Sequence, residues 1–409
     1  MRLDSAARAT KAAPTNPVPR APLWLLALIT FSGTMAMHIF VPALPFAAAD
    51  LGATPAAVQL TLSFYIAGLA LGQLVYGPVS DRFGRRPVLI VGMAVYALAG
   101  LAAMLAPTIH TLIAARLFQA LGGCAGLVLG RAIVRDTASG GDTARNLSLM
   151  NLMVTAGPVI APLVGSALAA TAGWRSIFVA LCALGLANLL LTWRLLPETG
   201  GGQRQGVLTV LRDYGRLLVS RRFLGYAVGG GLATTSLYAF IGAAPFIFVG
   251  QLHRPPREVG FYLALNIVGV WFGSLTASRL VGRVPITRLM VGGNLLSCAG
   301  AAVFLTAVVT GILSVPLAVL PMLVLTYGAG IASPAALAEA LGVNPRAAGS
   351  ASGLYGFAQM GVGAVCAFLG SIGENPALAA GTVLFAAGLL AQLSFWIAQR
   401  ARLGADPHK

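Results

Sequence analysis

Apolar runs of about twenty residues, parted by short polar breaks, follow one another along almost the whole chain. They fall at 23–45, 56–77, 88–107, 109–134, 146–171, 175–196, 222–250, 257–281, 286–309, 315–341, 347–372 and 377–399, numbered below as spans 1 to 12. A bilayer offers no water to backbone N–H and C=O groups, so such runs satisfy them internally as helices. The alternating ten-residue strands of a membrane barrel do not occur. Only 9% of the 409 residues are charged, where a water-soluble domain carries about 25%. The expected fold class is an all-α polytopic membrane protein with twelve transmembrane helices. Cys124, Cys182, Cys298 and Cys366 all lie inside apolar runs, which suits small buried residues rather than a disulfide frame or a zinc site.

The net charge of +16 brings nucleic acid to mind, yet its placement follows topology. With both termini on one side, 23 of the 27 Lys and Arg residues fall on that side. Arg175, Arg254 and Arg257 are opposite, and Arg116 lies within span 4. This is the positive-inside bias, so both termini are expected in the cytoplasm. The expected partners are the bilayer and a small-molecule substrate, with no nucleic acid. The first 22 residues are too polar, and the first run too long, for a cleaved signal peptide.

The longest polar stretch, PETGGGQRQGVLTVLRDYGRLLVSRR (197–222), sits near the middle. It divides the chain into a tail (1–22), a six-span half (23–196), a linker (197–221), a second six-span half (222–399) and a tail (400–409). Gly68 and Gly72 in span 2 are echoed by Gly269 and Gly273 in span 8. Parallel six-span repeats with a site at their interface suit a secondary transporter. Stripes of small residues, Gly122, Gly126 and Gly130 in span 4 and Gly157, Ala161 and Gly165 in span 5, mark close helix contacts. Pro158 and Pro162 predict a bend in span 5, since each removes a backbone donor.

After span 2 comes GPVSDRFGRRP (77–87), where Gly77-Pro78 is expected to end the helix. The combination of Gly77, Asp81, Arg82, Gly84, Arg85 and Arg86 resembles the signature loop of the major facilitator superfamily. That resemblance implies a charge latch between the two halves, with Asp81 facing Arg131 or Arg135 and the start of span 11 near 349–351. RLFQALGG (116–123) resembles the family motif with an intramembrane arginine. AGPVIAPLVGS (156–166), carrying Gly157, Pro158, Pro162 and Gly165, is similar to the Gly-Pro motif of the family's exporters. With VPALP (41–45) the set looks like the bicyclomycin/chloramphenicol-resistance (Bcr/CflA) type of drug:proton antiporter. The resemblance implies the facilitator fold, efflux of lipophilic drugs by alternating access in exchange for protons, no cofactor beyond the coupling proton, and a monomer. The second-half counterpart of the loop, ASRLVGRVP, has lost the acid.

TMAMHIFVPALP (34–45) carries His38 where that group commonly has an aspartate. No Asp or Glu falls at mid-membrane by these span assignments, and imidazole titrates near pH 6.5, so His38 is the candidate proton carrier. A neutral histidine that only hydrogen-bonds a substrate or carbonyl stays open beside it. Arg116, with Gln119 on the same helix face, is expected at the same depth, which raises the possibility of one shared polar site. The other candidates for contact with substrate are Tyr65, Tyr238, Phe246, Asn266, Trp271, Tyr327, Tyr355 and Gln359. Large apolar walls with few polar groups suit lipophilic compounds. Export or import of a small metabolite, with or without proton coupling, stays open as the alternative. No HExxH, GxGD or GxSxG constellation occurs, so an intramembrane enzyme is not expected.

Overall fold

The computed structural model describes residues 21–137, 141–199, 207–344 and 347–403. Among them are twelve helices long and apolar enough to cross a membrane. Those that build the site are span 1 (Leu23–Asp50), span 2 (Pro55–Phe83), span 4 (Ile109–Thr137), span 5 (Gly141–Ala172), span 6 (Arg175–Leu195), span 7 (Arg221–Gln251), span 8 (Pro256–Leu280), span 10 (Val315–Leu341) and span 11 (Ala348–Leu369). Val207–Val219 forms a further, amphipathic helix in the linker.

Two departures from the expected spans matter for the site. Span 1 does not stop at Pro45: it turns through a short 3-10 segment, Val41–Ala43, and continues to Asp50. Pro42 cannot donate to the preceding helical turn, which localises the break there. Span 2 likewise does not end at Gly77-Pro78 but runs on to Phe83. Pro78 leaves the Leu74 carbonyl without its helical donor, and the Tyr214 hydroxyl of the linker helix donates to that oxygen at 3.5 Å. A proline inside a membrane helix is tolerated where a neighbour re-satisfies the freed carbonyl in this way. Gly84, at φ 96°, then ends the helix. A Cβ there would lie 2.7 Å from Glu198 Oε2.

The two six-helix halves are built on one plan. Span 2 lies on span 4, and span 8 on span 10; spans 1 and 5 pair as spans 7 and 11 do. The repeated glycines make the first of these contacts. A Cβ on Gly68 would meet the Leu117 carbonyl of span 4 at 2.6 Å, and one on Gly269 would meet the Leu323 carbonyl of span 10 at 3.0 Å. Close backbone approach supplies contact where lipid gives helices no hydrophobic drive to associate. The halves meet along two seams, span 2 against span 11 and span 5 against span 8. At the second seam the Gly260 N–H donates to Ser166 Oγ at 3.1 Å, and a Cβ on Gly260 would sit 2.4 Å from the Pro162 carbonyl.

Candidate substrate and coupling site

His38 is 7% exposed and stands on span 1 where the halves face one another. Its Nδ1 lies 2.9 Å from the Thr34 carbonyl oxygen. A carbonyl only accepts, so Nδ1 carries the hydrogen and the neutral ring keeps its lone pair on Nε2. The ring borders a cavity with Val41, Pro162, Leu237, Ile241, Leu263 and Asn266. Four helices therefore contribute, two from each half. The Tyr238 ring of span 7 is 6.4 Å from the imidazole, centre to centre. Asn266 is 2% exposed, and neither its Oδ1 nor its Nδ2 has a hydrogen-bond partner. The cavity measures about 10 Å³, room for a single water and far below the roughly 300 Å³ a small organic ligand needs. The halves are closed upon one another at this level.

Arg116 is elsewhere. It is 1% exposed, inside the amino-terminal half. Its Cζ stands 4.1 Å from the Tyr65 ring centre, 5.6 Å from Phe40 and 5.8 Å from Phe178. Nη1 donates to Gln119 Oε1 at 2.8 Å, while Nε and the Gln119 Nε2 have no partner. Among the described residues no carboxylate pairs with it. Ring faces attract a desolvated guanidinium by about 2 kcal/mol or more, so three of them hold the charge without cancelling it.

His38 and Arg116 share no hydrogen bond, and Arg116 is not among the residues that line the His38 cavity. Arg116 packs on Phe40, two residues beyond His38 on span 1. Two residues turn a helix by about 200°, so when Phe40 faces the interior of its half, His38 faces the opposite way, onto the seam. The depths agree and the directions do not.

The aromatic and amide candidates divide similarly. Only Tyr238 and Asn266 border His38. Tyr65 is fully buried under Arg116 and donates to the Gly33 carbonyl at 2.8 Å. Trp271 of span 8 is 38% exposed and does not line the His38 cavity. Tyr327 donates to Thr276 Oγ1 at 3.0 Å, tying span 10 to span 8. Gln359 Nε2 donates to Thr234 Oγ1 at 3.0 Å, and Tyr355 packs on Gly230, both within the pairing of spans 7 and 11. Phe246 is half-buried in the last turn of span 7. Gln59 went unnoticed in the sequence: it is 3% exposed on span 2, its Oε1 is unpartnered, and it faces Gly242 of span 7 across the seam. A lone glutamine near a helix end carries no sequence signal for this.

In the exporter-like motif, Pro162 lines the His38 cavity, and span 5 remains helical through both Pro158 and Pro162. Gly157 lies against Phe31 and Thr34, and a Cβ on Gly165 would stand 1.8 Å from the Ile39 carbonyl oxygen. Its small residues thus seat span 5 on span 1.

On the basic face, Asp81 pairs with Arg85 at 2.6 Å rather than with Arg131 or Arg135. Arg85 also reaches Asp136 at 3.1 Å, and its backbone N–H donates to Glu198 at 2.9 Å. Arg86 donates to the Trp193 carbonyl at 2.6 Å, and the Arg82 guanidinium lies over Phe83. These bonds join spans 2, 3, 4 and 6 of one half, Arg85 and Arg86 heading span 3. Asp81, Gly77, Arg131 and Arg135 line a cleft of about 420 Å³, whose far wall is Gly349–Gly353 of span 11 and Tyr214 of the linker helix. The acid therefore does face the start of span 11, across open space.

The sequence pattern of the Major Facilitator Superfamily matches residues 26–367. The chain belongs to that superfamily. This facilitator is 31% identical over 400 residues to the MFS-type transporter YdgK of Bacillus subtilis, covering 96% of this chain and 99% of that one. It is 28% identical to a bicyclomycin resistance protein homolog of Haemophilus influenzae, over 83% of this chain and 86% of the relative. In fold it is similar to the POT-family transporter PepTSo, with a TM-score of 0.74 at 12% identity across 94% of this chain and 98% of the other. The facilitator is a multi-pass membrane transporter of small molecules, and not an enzyme.

Proposed function

We propose that this facilitator exports lipophilic toxic compounds from the cytoplasm in exchange for protons, with His38 as the proton carrier. The observation that carries the reading is the imidazole between the halves, with Nδ1 committed to Thr34 and Nε2 left to titrate. The Haemophilus relative's name supports a drug-like substrate. The lining of Val41, Leu237, Ile241 and Leu263 supports a lipophilic one.

In the cycle, the halves part on the cytoplasmic side and substrate enters beside a neutral His38. They then close and open outward, where substrate leaves and Nε2 takes a proton from the more acidic exterior. The proton is released when the site next faces the cytoplasm. Arg116 fixes the electrostatic setting of the site from behind span 1. The positive-inside distribution supports cytoplasmic termini in a bacterial inner membrane, and the transporter works as a monomer.

The test is flux of chloramphenicol in proteoliposomes under an imposed pH gradient, wild type against His38→Ala. Gradient-driven transport should fall to the passive leak in the variant, while exchange of labelled for unlabelled substrate persists. Gradient-driven transport that His38→Ala leaves unchanged removes histidine as the carrier.

A further inference from the structure

We infer that the central site selects uncharged aromatic compounds and discriminates against permanent cations, a refinement that rests on the drug-export reading. The argument begins with where the carboxylates are. Among the described residues, Asp50, Glu258 and Glu374 lie at the face opposite the termini, and every other Asp or Glu lies at the basic face. None is within the middle of a span. The charged group at the depth of the site is Arg116, held by three rings and a carboxamide with no acid to cancel it. His38, when it holds its proton, adds a second positive charge.

A cationic drug entering beside His38 would therefore meet positive charge on its amino-terminal side and no anion on the other. At an effective dielectric of about 20, like charges roughly 10 Å apart lower an affinity about tenfold or more. The Tyr238 ring can favour a cation, yet a ring quadrupole is weaker than a unit charge.

What the seam does offer is suited to neutral polar groups. Asn266 presents an acceptor and two donors, all unpartnered, from a side chain that is 2% exposed. Gln59, outside the His38 cavity but at the interface of the halves, presents an unpartnered acceptor toward Gly242 of span 7. Buried polar groups left unpaired are costly, so a ligand that supplies a carbonyl, amide or hydroxyl to them gains in proportion. Aromatic bulk against Tyr238 and the aliphatic wall completes the complementarity.

A pair of probes of nearly equal shape separates charge from size: triphenylphosphine oxide, uncharged with one strong acceptor, and methyltriphenylphosphonium, a permanent cation. In proteoliposomes holding the full chain, each competes against chloramphenicol export at pH 7.5. The oxide should compete at least about tenfold better than the cation, the ratio expected from one unscreened like charge. His38→Asp should narrow or reverse that ratio, because it places a carboxylate on the seam. Asn266→Leu should weaken the oxide and leave the cation unchanged. Equal competition by the two probes on wild type overturns the charge preference and leaves drug export standing. No export of chloramphenicol or of either probe removes the drug-export reading, and this inference with it.

Discussion

The two halves share a packing plan and differ in what they place inside it. Leu117 lies under Gly68 in one half and Leu323 under Gly269 in the other. The residues just before them are Arg116 and Met322, both fully buried. The same scaffold position thus holds a charge in one half and a thioether in the other. The loops after spans 2 and 8 diverge in the same sense. The first carries Asp81, paired with Arg85, and the second, around Gly282 at φ 86°, has no acid. A fold that repeats its backbone contacts has placed the buried Arg116 and the acid-bearing loop in the same half. The scaffold position itself does not require the charge, since Met322 fills it in the other half.

The largest effect that separates the halves concerns the paired seams of spans 1 with 5 and 7 with 11. Gly165 faces backbone, the Ile39 carbonyl, whereas Gly363 faces the side chains of Tyr238 and Thr235 at 2.9 Å or more. Backbone cannot give way as a side chain can. Gly165→Ala should cost about 3 kcal/mol or more, read as lost expression or a sharply lower unfolding temperature in detergent. Gly363→Ala should cost about 1 kcal/mol and shift Tyr238. Equal penalties would mean that span 1 slides to accommodate the methyl group.

Next in size is Arg116→Met, which copies the carboxy-terminal half into the amino-terminal one. Replacing a buried charge by an apolar side chain of similar volume is neutral or stabilising by about 1–4 kcal/mol, so the unfolding temperature should hold or rise. Gradient-driven flux should fall at least about tenfold, a change of about 1.4 kcal/mol in the rate-limiting barrier. A lower unfolding temperature with flux retained would make Arg116 a structural anchor.

The smallest effect lies in the linker, which has no counterpart in either half. Burial, and after it the Asp81 carboxylate, pushes the Tyr214 phenol above its ordinary value of 10.0. A raised folded value means that the seated helix favours the neutral phenol. Its contribution is complete below pH 10 and is lost as pH climbs through and beyond that value. Tyr214→Phe should cost about 0.5–1 kcal/mol and abolish the alkaline loosening, read as faster proteolysis of the linker above pH 10 in wild type alone.

The spans were legible because length and polarity are one-dimensional properties, and a bilayer enforces them on each helix separately. Arg116 and His38 were legible as ionisable residues in apolar runs, and their common depth followed from counting residues at 1.5 Å each. Direction was not legible in the same way. The half-turn between Phe40 and His38 decides which residue meets Arg116, and only the packed partners show which face is which. For the same reason Trp271, which looked like a candidate for the site, is not among the residues that line the His38 cavity, while the unremarkable Gln59 faces span 7 of the other half. Gly77-Pro78 was read as a helix end by a rule that holds when nothing repairs the lost hydrogen bond. The repair comes from Tyr214, far away in the chain.

The cavity beside His38 has a consequence for breadth of substrate. A space that admits one water has no fixed mould for a drug. A guest that enters once the halves have parted then acts as a wedge, held by walls that re-form around it. Selection by outline is then weak, because the outline belongs to the guest. What discriminates is what the wedge cannot reshape: the fixed charge behind span 1 and the amide that waits on span 8.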